Sequence, residues 1–222
     1  KVRHFHFEPE KDIIQRIKLA KSLALSIVET CQLSRDIRIL DVGCGNGDLV
    51  AAFYEESYDA YGVEPDANAF EALKINPNLK ERLMNCKIEA LAESNHPSLK
   101  QPFDLIVLQD VLEHFYDPLS AIELLLQKLN KKGFIFIGIP SGESLAIKYL
   151  KAFAWNFMAP FHRTLFTKKG IKEMIKRKDL NVSLNFCSDE KLLFGNTRGI
   201  AYKADFNIEH EQLRSSFDGF SK

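Results

Sequence analysis

The feature that most limits the fold is an apolar, β-branched run at residues 37–42 (IRILDV) that breaks at three alternate glycines, Gly43, Gly45 and Gly47. Such a run, followed at once by the helical pattern GDLVAAFYEE, reads as a strand, a tight turn and a helix. The same alternation recurs along the chain. YDAYGVE (58–64) is a second strand, and PDANAFEALKI a second helix of the alternation with Pro65 at its start. RLMNCKI (82–88) is a weaker third strand, and FDLIVLQ (103–109) a fourth whose continuous apolar character predicts burial on both faces. DPLSAIELLLQKLN (117–130) predicts a helix capped by Asp117 and closed by Lys131, Lys132 and Gly133, and GFIFIGIP (133–140) a fifth strand.

Strands separated by helices of this length predict an α/β fold with a doubly wound, mostly parallel sheet. The pattern changes after Pro140. SLAIKYLKAFAWNFM and TKKGIKEMIKRKDL read as helices. NVSLNFC and TRGIAYKADF read as two strands with only a short connection, an antiparallel hairpin at the sheet edge that brings the total to seven. Before the first strand, residues 10–31 read as an amphipathic helix whose apolar face is Ile13, Ile14, Ile17, Leu19 and Leu23. The expected organisation is one domain over residues 1–206. It comprises the N-terminal helix (10–31), a ligand-binding core (35–140), a helical lid on the acceptor side (141–180) and C-terminal strands (181–206), with a polar tail at 207–222.

Lysine plus arginine and aspartate plus glutamate balance at 30 each, so bulk charge predicts neither a nucleic-acid partner nor an anionic membrane surface. The four cysteines (Cys31, Cys44, Cys86, Cys187) have no paired spacing of the disulfide or zinc type, which points to a reducing setting. No apolar run approaches the length of a membrane span and no signal peptide is recognisable, so the expected location is cytoplasmic. A homodimer is compatible with the sequence and not required by it.

In a doubly wound sheet, ligands bind beyond the carboxyl ends of the strands, where Gly43, Cys44, Gly45, Asn46 and Gly47 fall. The dinucleotide fingerprint G-x-G-x-x-G differs from the G-x-G-x-G found here, and its third glycine is replaced by Asp48, whose charge would face a pyrophosphate unfavourably. No Lys-Ser or Lys-Thr follows the glycines, so a P-loop is absent as well. Two further acids shape the expectation. Asp41 precedes the loop, and Glu64 ends the second strand, where its carboxylate can accept both hydroxyls of a ribose. A nearby cation would gain from this negative charge. A ribose beside a cation describes S-adenosylmethionine (SAM), with S-adenosylhomocysteine (SAH) as its demethylated product.

With these residues in view, ILDVGCGNG, YGVEPD, PFDLIVLQDVLEHFYDP and LNKKGFIFIGIP together resemble the class I, seven-stranded Rossmann-like SAM-dependent methyltransferases, in the subgroup that acts mainly on small molecules. The resemblance covers about residues 35 to 140, and FHRTLFTKKGIKEMI is similar to a segment that precedes a late helix in many of these enzymes. It implies methyl transfer to a small-molecule, sugar- or lipid-linked acceptor, with oxygen the favoured acceptor atom. It also implies a cofactor site made by Asp41, Gly43, Cys44, Gly45, Gly47, Glu64 and Pro65, with Gln109 bordering the methionine part. Family members often carry an acid after strand three for the adenine amino group. Here Lys87 or Ile88 occupies that place, so Ile88 is expected against the adenine face, with Glu89 as the candidate acid.

A hydroxyl acceptor must lose a proton, and a histidine suits that role. His162, in APFHRTLF, and His114, in QDVLEHFYDP, are the candidates; otherwise His162 is a packed lid residue, and Glu113 and His114 are solvated at a strand-to-helix junction. HFH at 4–6 lacks a third ligand, so no metal is expected. Lys168, Lys169, Lys172, Lys176, Arg177 and Lys178 read as one solvated helix face or as a site for an anionic group. Tyr149, Phe153, Trp155, Phe157 and Phe161 either cover an acceptor pocket or pack in the core. Two alternatives remain at this level: a non-catalytic partner subunit with the same fold, and an NAD(P)-dependent oxidoreductase, which Asp48 disfavours.

Overall fold

The computed structural model describes residues 10–66, 69, 77–91, 93–94, 96–150, 162–177, 182–188 and 196–203. Its centre is a seven-stranded sheet of order β3-β2-β1-β4-β5-β7-β6. The strands are β1 (Arg38–Val42), β2 (Asp59–Glu64), β3 (Leu83–Asn85), β4 (Phe103–Gln109), β5 (Leu129–Pro140), β6 (Val182–Ser188) and β7 (Asn196–Lys203). Strands β1 to β5 pair in parallel, while β7 runs antiparallel to both β5 and β6. The sequence expectation of a parallel sheet closed by an antiparallel hairpin is met. Strand order reverses between β1 and β4, which opens a crevice above their carboxyl ends.

Both faces of the central strands β1, β4 and β5 are buried, as the continuous apolar runs require. On one face Leu40, Val42, Ile106, Leu108, Ile135 and Ile137 meet the helix Pro118–Gln127 and the helix Lys168–Arg177. On the other, Ile39, Leu105, Val107 and Phe136 meet α1 (Glu10–Cys31) and α2 (Asp48–Glu55). Alternate residues of β4 therefore serve opposite cores. Phe53 of α2 is fully buried, and truncating such a side chain costs about 3–5 kcal/mol.

Three expectations change. The apolar face of α1 is only partly the one read: Leu23 packs against the core beside buried Ala24 and Ile27, whereas Ile14 and Leu19 are 54% and 62% exposed and Ile17 is also exposed. Length explains the shift. A helix of α2's eight residues spans about 12 Å and covers only part of a helix of about 33 Å, so the packed stripe lies in the second half of α1. The helix after β4 ends at Gln127 rather than near residue 130, and β5 starts at Leu129. Here the Phe103 N–H donates to the Lys128 carbonyl at 2.8 Å, and Leu129 pairs with Phe103, drawing the end of the helical pattern into the sheet. The cap itself is as expected, since the Asp117 carboxylate accepts the Leu119 and Ser120 N–H groups. The third strand stops at Asn85, and Ile88–Leu91 forms a 3-10 turn instead of continuing it.

The basic face resolves as an amphipathic helix, Lys168–Arg177, with Ile171 and Ile175 buried. Several expectations lie outside the described residues: the body of the second helix of the alternation, the segment holding Phe153, Trp155, Phe157 and Phe161, the HFH run at 4–6, Lys178 and the tail at 207–222.

Candidate functional site

The glycine loop turns sharply because its backbone must serve two strands at once. The N–H groups of Gly43 and Cys44 both donate to the Val63 carbonyl on β2, at 2.8 and 3.1 Å. That bend puts Gly43 at φ 72°, a region costly for residues with a Cβ. A Cβ there would also lie 2.6 Å from a Val111 methyl, so the position is closed to other residues twice over. Gly47 (φ 82°) starts α2, and its N–H donates to the Cys44 carbonyl at 2.8 Å. Gly45 faces open space, where a ligand can approach the backbone.

Glu64 locks onto this loop from the end of β2. One carboxylate oxygen accepts the Gly45 N–H at 3.0 Å, and the other accepts the Asp66 N–H at 2.9 Å. Each oxygen keeps acceptor capacity on its remaining lone pair, which suits a vicinal diol. Beneath the loop, Asp41 is buried within the sheet. Burial pushes its carboxyl up to about 8, with the Glu64 charge adding to the effect. Cys44 is likewise buried, and burial raises its thiol well above the usual range.

Asp48 does not act as the sequence suggested. Its carboxylate pairs with Arg16 Nε of α1 at 2.5 Å, so its charge is not set against a bound phosphate. The case against a pyrophosphate rests instead on the donors. Gly43, Cys44, Gly45 and Gly47 have all committed their N–H groups to protein acceptors, the Gly45 N–H to the Glu64 carboxylate.

A cavity of about 600 Å³ opens over this loop. On the cofactor side Gly43, Gly45, Glu64 and Pro65 line it, joined by Lys87, Ile88 and Glu89 from the turn after β3. Ile88 is buried and Glu89 exposed, an apolar floor beside an acid at the edge. Asp41, Cys44 and Gly47 support the loop from behind rather than lining the space. Gln109 ends β4 with its side chain against Gly138, and the wall at that strand end is made by Asp110 and Val111. Asp110 is in the left-handed region (φ 53°), an uncommon conformation away from glycine. Asp66, Cys86, Asp110, Val111 and Phe115 also line the cavity and were not singled out from the sequence. Their signal was adjacency to the strand ends, which periodicity does not rank.

The opposite wall is built by long-range contacts. The Glu113 carbonyl accepts the N–H groups of Arg163 and Thr164, at 2.9 and 3.2 Å, and Ser141 bridges to Phe166. These bonds bring His162 beside the turn Leu112–His114, with the His114 and His162 rings at 4.9 Å and edge to face. His114 reaches the cavity wall. Arg163 stacks on Tyr116, 3.4 Å from the ring centroid. Glu113 is not solvated: it is 2% exposed, and neither carboxylate oxygen has a hydrogen-bond partner among the described residues. Burial pushes its carboxyl up to about 7, Asp110 adds to this, and His162 opposes it.

A family model described as a methyltransferase domain matches residues 12–184. An uncharacterized methyltransferase of Schizosaccharomyces pombe is 32% identical over 128 residues, 52% of this chain and 46% of that protein. A ubiquinone biosynthesis O-methyltransferase of Paracidovorax citrulli is 25% identical over 171 residues, 74% of this chain and 67% of that protein. Some other curated relatives are covered over only 40% of their length, so the chain spans about half of what it matches. Among solved structures, a plantazolicin methyltransferase in complex with SAH superposes with a TM-score of 0.62 at 15% identity, covering 86% of this chain and 84% of that one. That last likeness is one of fold.

Proposed function

This chain belongs to the methyltransferase-domain family, and from that premise we propose that it transfers a methyl group from SAM to a hydroxyl of a small-molecule, sugar- or lipid-linked acceptor. The observation that carries the cofactor is Glu64, held against the glycine loop by the Gly45 N–H while its oxygens keep room for two ribose hydroxyls. In this reading Gly43 and Gly45 let the methionine and ribose portions lie close to the backbone, Pro65 and Ile88 bound the nucleoside, and Glu89 is the proposed partner of the adenine edge; all five line the cavity. Asp41, Cys44, Gly47 and Gln109 shape this site from behind. The solved relatives bound to SAH support the same ligand.

Methyl transfer is an in-line displacement at carbon with a neutral thioether leaving, so alignment and exclusion of water supply much of the acceleration. An oxygen acceptor also gives up a proton. His114, on the cavity wall, is the group proposed to receive it, and His162, edge to face against that ring, stands behind. The O-methyltransferase relative supports oxygen as the acceptor atom. Residues 1–206 are proposed as one domain, working in the cytoplasm without a nucleic-acid partner.

The test is SAH release from SAM over panels of phenols, sugars and isoprenoid or acyl-linked alcohols. Release with a hydroxyl acceptor, lost in Glu64→Ala, is the expected result. Failure of the folded protein to bind either SAM or SAH would remove the proposal.

A further inference from the structure

The backbone of Arg163 is pinned, while its charge is left without a counter-ion among the described residues. Its N–H donates to the Glu113 carbonyl at 2.9 Å, and the Phe166 carbonyl a little further along accepts the Gly142 N–H at 2.8 Å. Phe166 is buried, so the segment is tied to the turn Leu112–His114 at one end and to the end of β5 at the other. From that backbone the exposed guanidinium lies 3.4 Å from the centroid of the Tyr116 ring. Among the described residues it forms no ion pair and no side-chain hydrogen bond.

A guanidinium on an aromatic face uses its π surface there and keeps its N–H donors, which lie in its own plane, for another group. The ring also restricts the side chain, so less freedom is lost when those donors engage. The result is a pre-set fork whose shape matches a carboxylate or a phosphate. Its place is telling. His114 and Phe115 line the cavity and directly precede Tyr116, and consecutive Cα atoms are about 3.8 Å apart, so the fork is rooted at the cavity rim. Charge points the same way. The whole chain balances at 30 cations and 30 acids. The segment carrying Arg163 does not: over 141–150 and 162–177, Lys148, Lys169, Lys172 and Lys176 are among its cations, and Glu143 and Glu173 are its acids. A local excess of this kind draws anions toward the rim.

We infer that Arg163, stacked on Tyr116, anchors an oxyanion of the acceptor, so that the acceptor is a hydroxyl compound bearing a carboxylate or a phosphate. The anion is held at the rim while the hydroxyl reaches into the cavity. This deepens the methyltransferase proposal above and rests on it. The anion takes no part in the transfer itself, in which the methyl carbon passes from sulfur to oxygen. Arg163 therefore supplies binding made equally in the ground and transition states, and its loss falls on KM and not on kcat.

The test titrates the full chain, saturated with SAH, by calorimetry with two matched pairs: para-hydroxybenzoate against para-hydroxybenzyl alcohol, and geranyl phosphate against geraniol. The two arms tell a carboxylate from a phosphate. In at least one pair the anion is expected to bind about tenfold or more tighter than its neutral partner. Arg163→Met should erase that margin, and Arg163→Lys, which keeps the charge and loses the fork, should lose most of it. Lys176→Met, at an exposed site on the same segment, should change it by less than about twofold. SAH affinity within about twofold of wild type in all three variants shows that they fold. No margin in either pair overturns the inference, as does a margin that survives Arg163→Met or Arg163→Lys. A margin lost equally in Lys176→Met also overturns it, because general positive charge would then be the attraction. Failure of wild type to bind SAH would instead strike the methyltransferase reading, and the same titrations without SAH would still read the anchor.

Discussion

The two walls of the cavity are built by different means. The cofactor wall is backbone: a bend forced by two N–H groups sharing the Val63 carbonyl, fixed by Glu64, all within residues 41–66. The acceptor wall is side chain: Glu113 and His114 from one turn and His162 from a segment almost 50 residues later, joined by two bonds to a single carbonyl. The first kind of wall leaves little freedom at Gly43, which meets both a positive φ and a Val111 methyl. The second can exchange its side chains without disturbing the sheet, which is how one fold accepts many acceptors.

If that contrast holds, the largest effect belongs to Glu64→Ala. Two charge-assisted hydrogen bonds to a ribose contribute about 1.5–3 kcal/mol each, so SAH affinity should fall by about 100-fold or more. A drop of less than about fivefold in calorimetry would mean that the carboxylate is structural.

Gly43→Ala comes next, because it meets both the left-handed backbone and the Val111 methyl at 2.6 Å. A destabilisation of about 2–4 kcal/mol is expected, lowering Tm by about 4–16 °C. Adding Val111→Ala should restore the steric part and leave the backbone part. A double variant no better than the single one would show that the clash is not the cause.

Glu113→Gln should act in the opposite direction. A carboxyl raised to about 7 is protonated in the folded chain at a pH where the unfolded chain has already lost its proton. Stability therefore falls as pH rises from about 4.5 to about 7, and the penalty is complete above that. The variant should gain a few degrees in Tm at pH 8 and little at pH 5, flattening the profile. A uniform loss of Tm at both values would contradict a raised carboxyl.

Arg16→Ala should be the mildest. The Arg16–Asp48 pair is partly exposed, and such pairs contribute about 0–1 kcal/mol. A shift of at most a few degrees, with SAH affinity unchanged, would confirm that Asp48 is turned toward α1 and away from the ligand.

The same contrast decides what was legible in the sequence. Local chemistry was: a β-branched run ending in glycines, an acid at the end of the next strand, and Asp117 before a proline-led helix are readable because each feature is satisfied by near neighbours. Features set by packing partners were not. The face of α1 depends on how short α2 is, and the start of β5 depends on Phe103 claiming the Lys128 carbonyl. Asp48 supported a sound conclusion through a reason the structure replaces, because its partner Arg16 lies far upstream. The burial of Glu113 was not readable, because a solvated acid at a strand-to-helix junction was one of the two readings the local sequence allowed and the bonds from Arg163 and Thr164 to its carbonyl come from a distant segment.

Calorimetric titration of the purified chain with SAH and, in parallel, with NAD+ tests the cofactor wall most directly. Micromolar binding of SAH with no heat from NAD+ is the predicted result. Binding of NAD+ with none of SAH would contradict the assignment of the glycine loop and Glu64 to a SAM-type ligand.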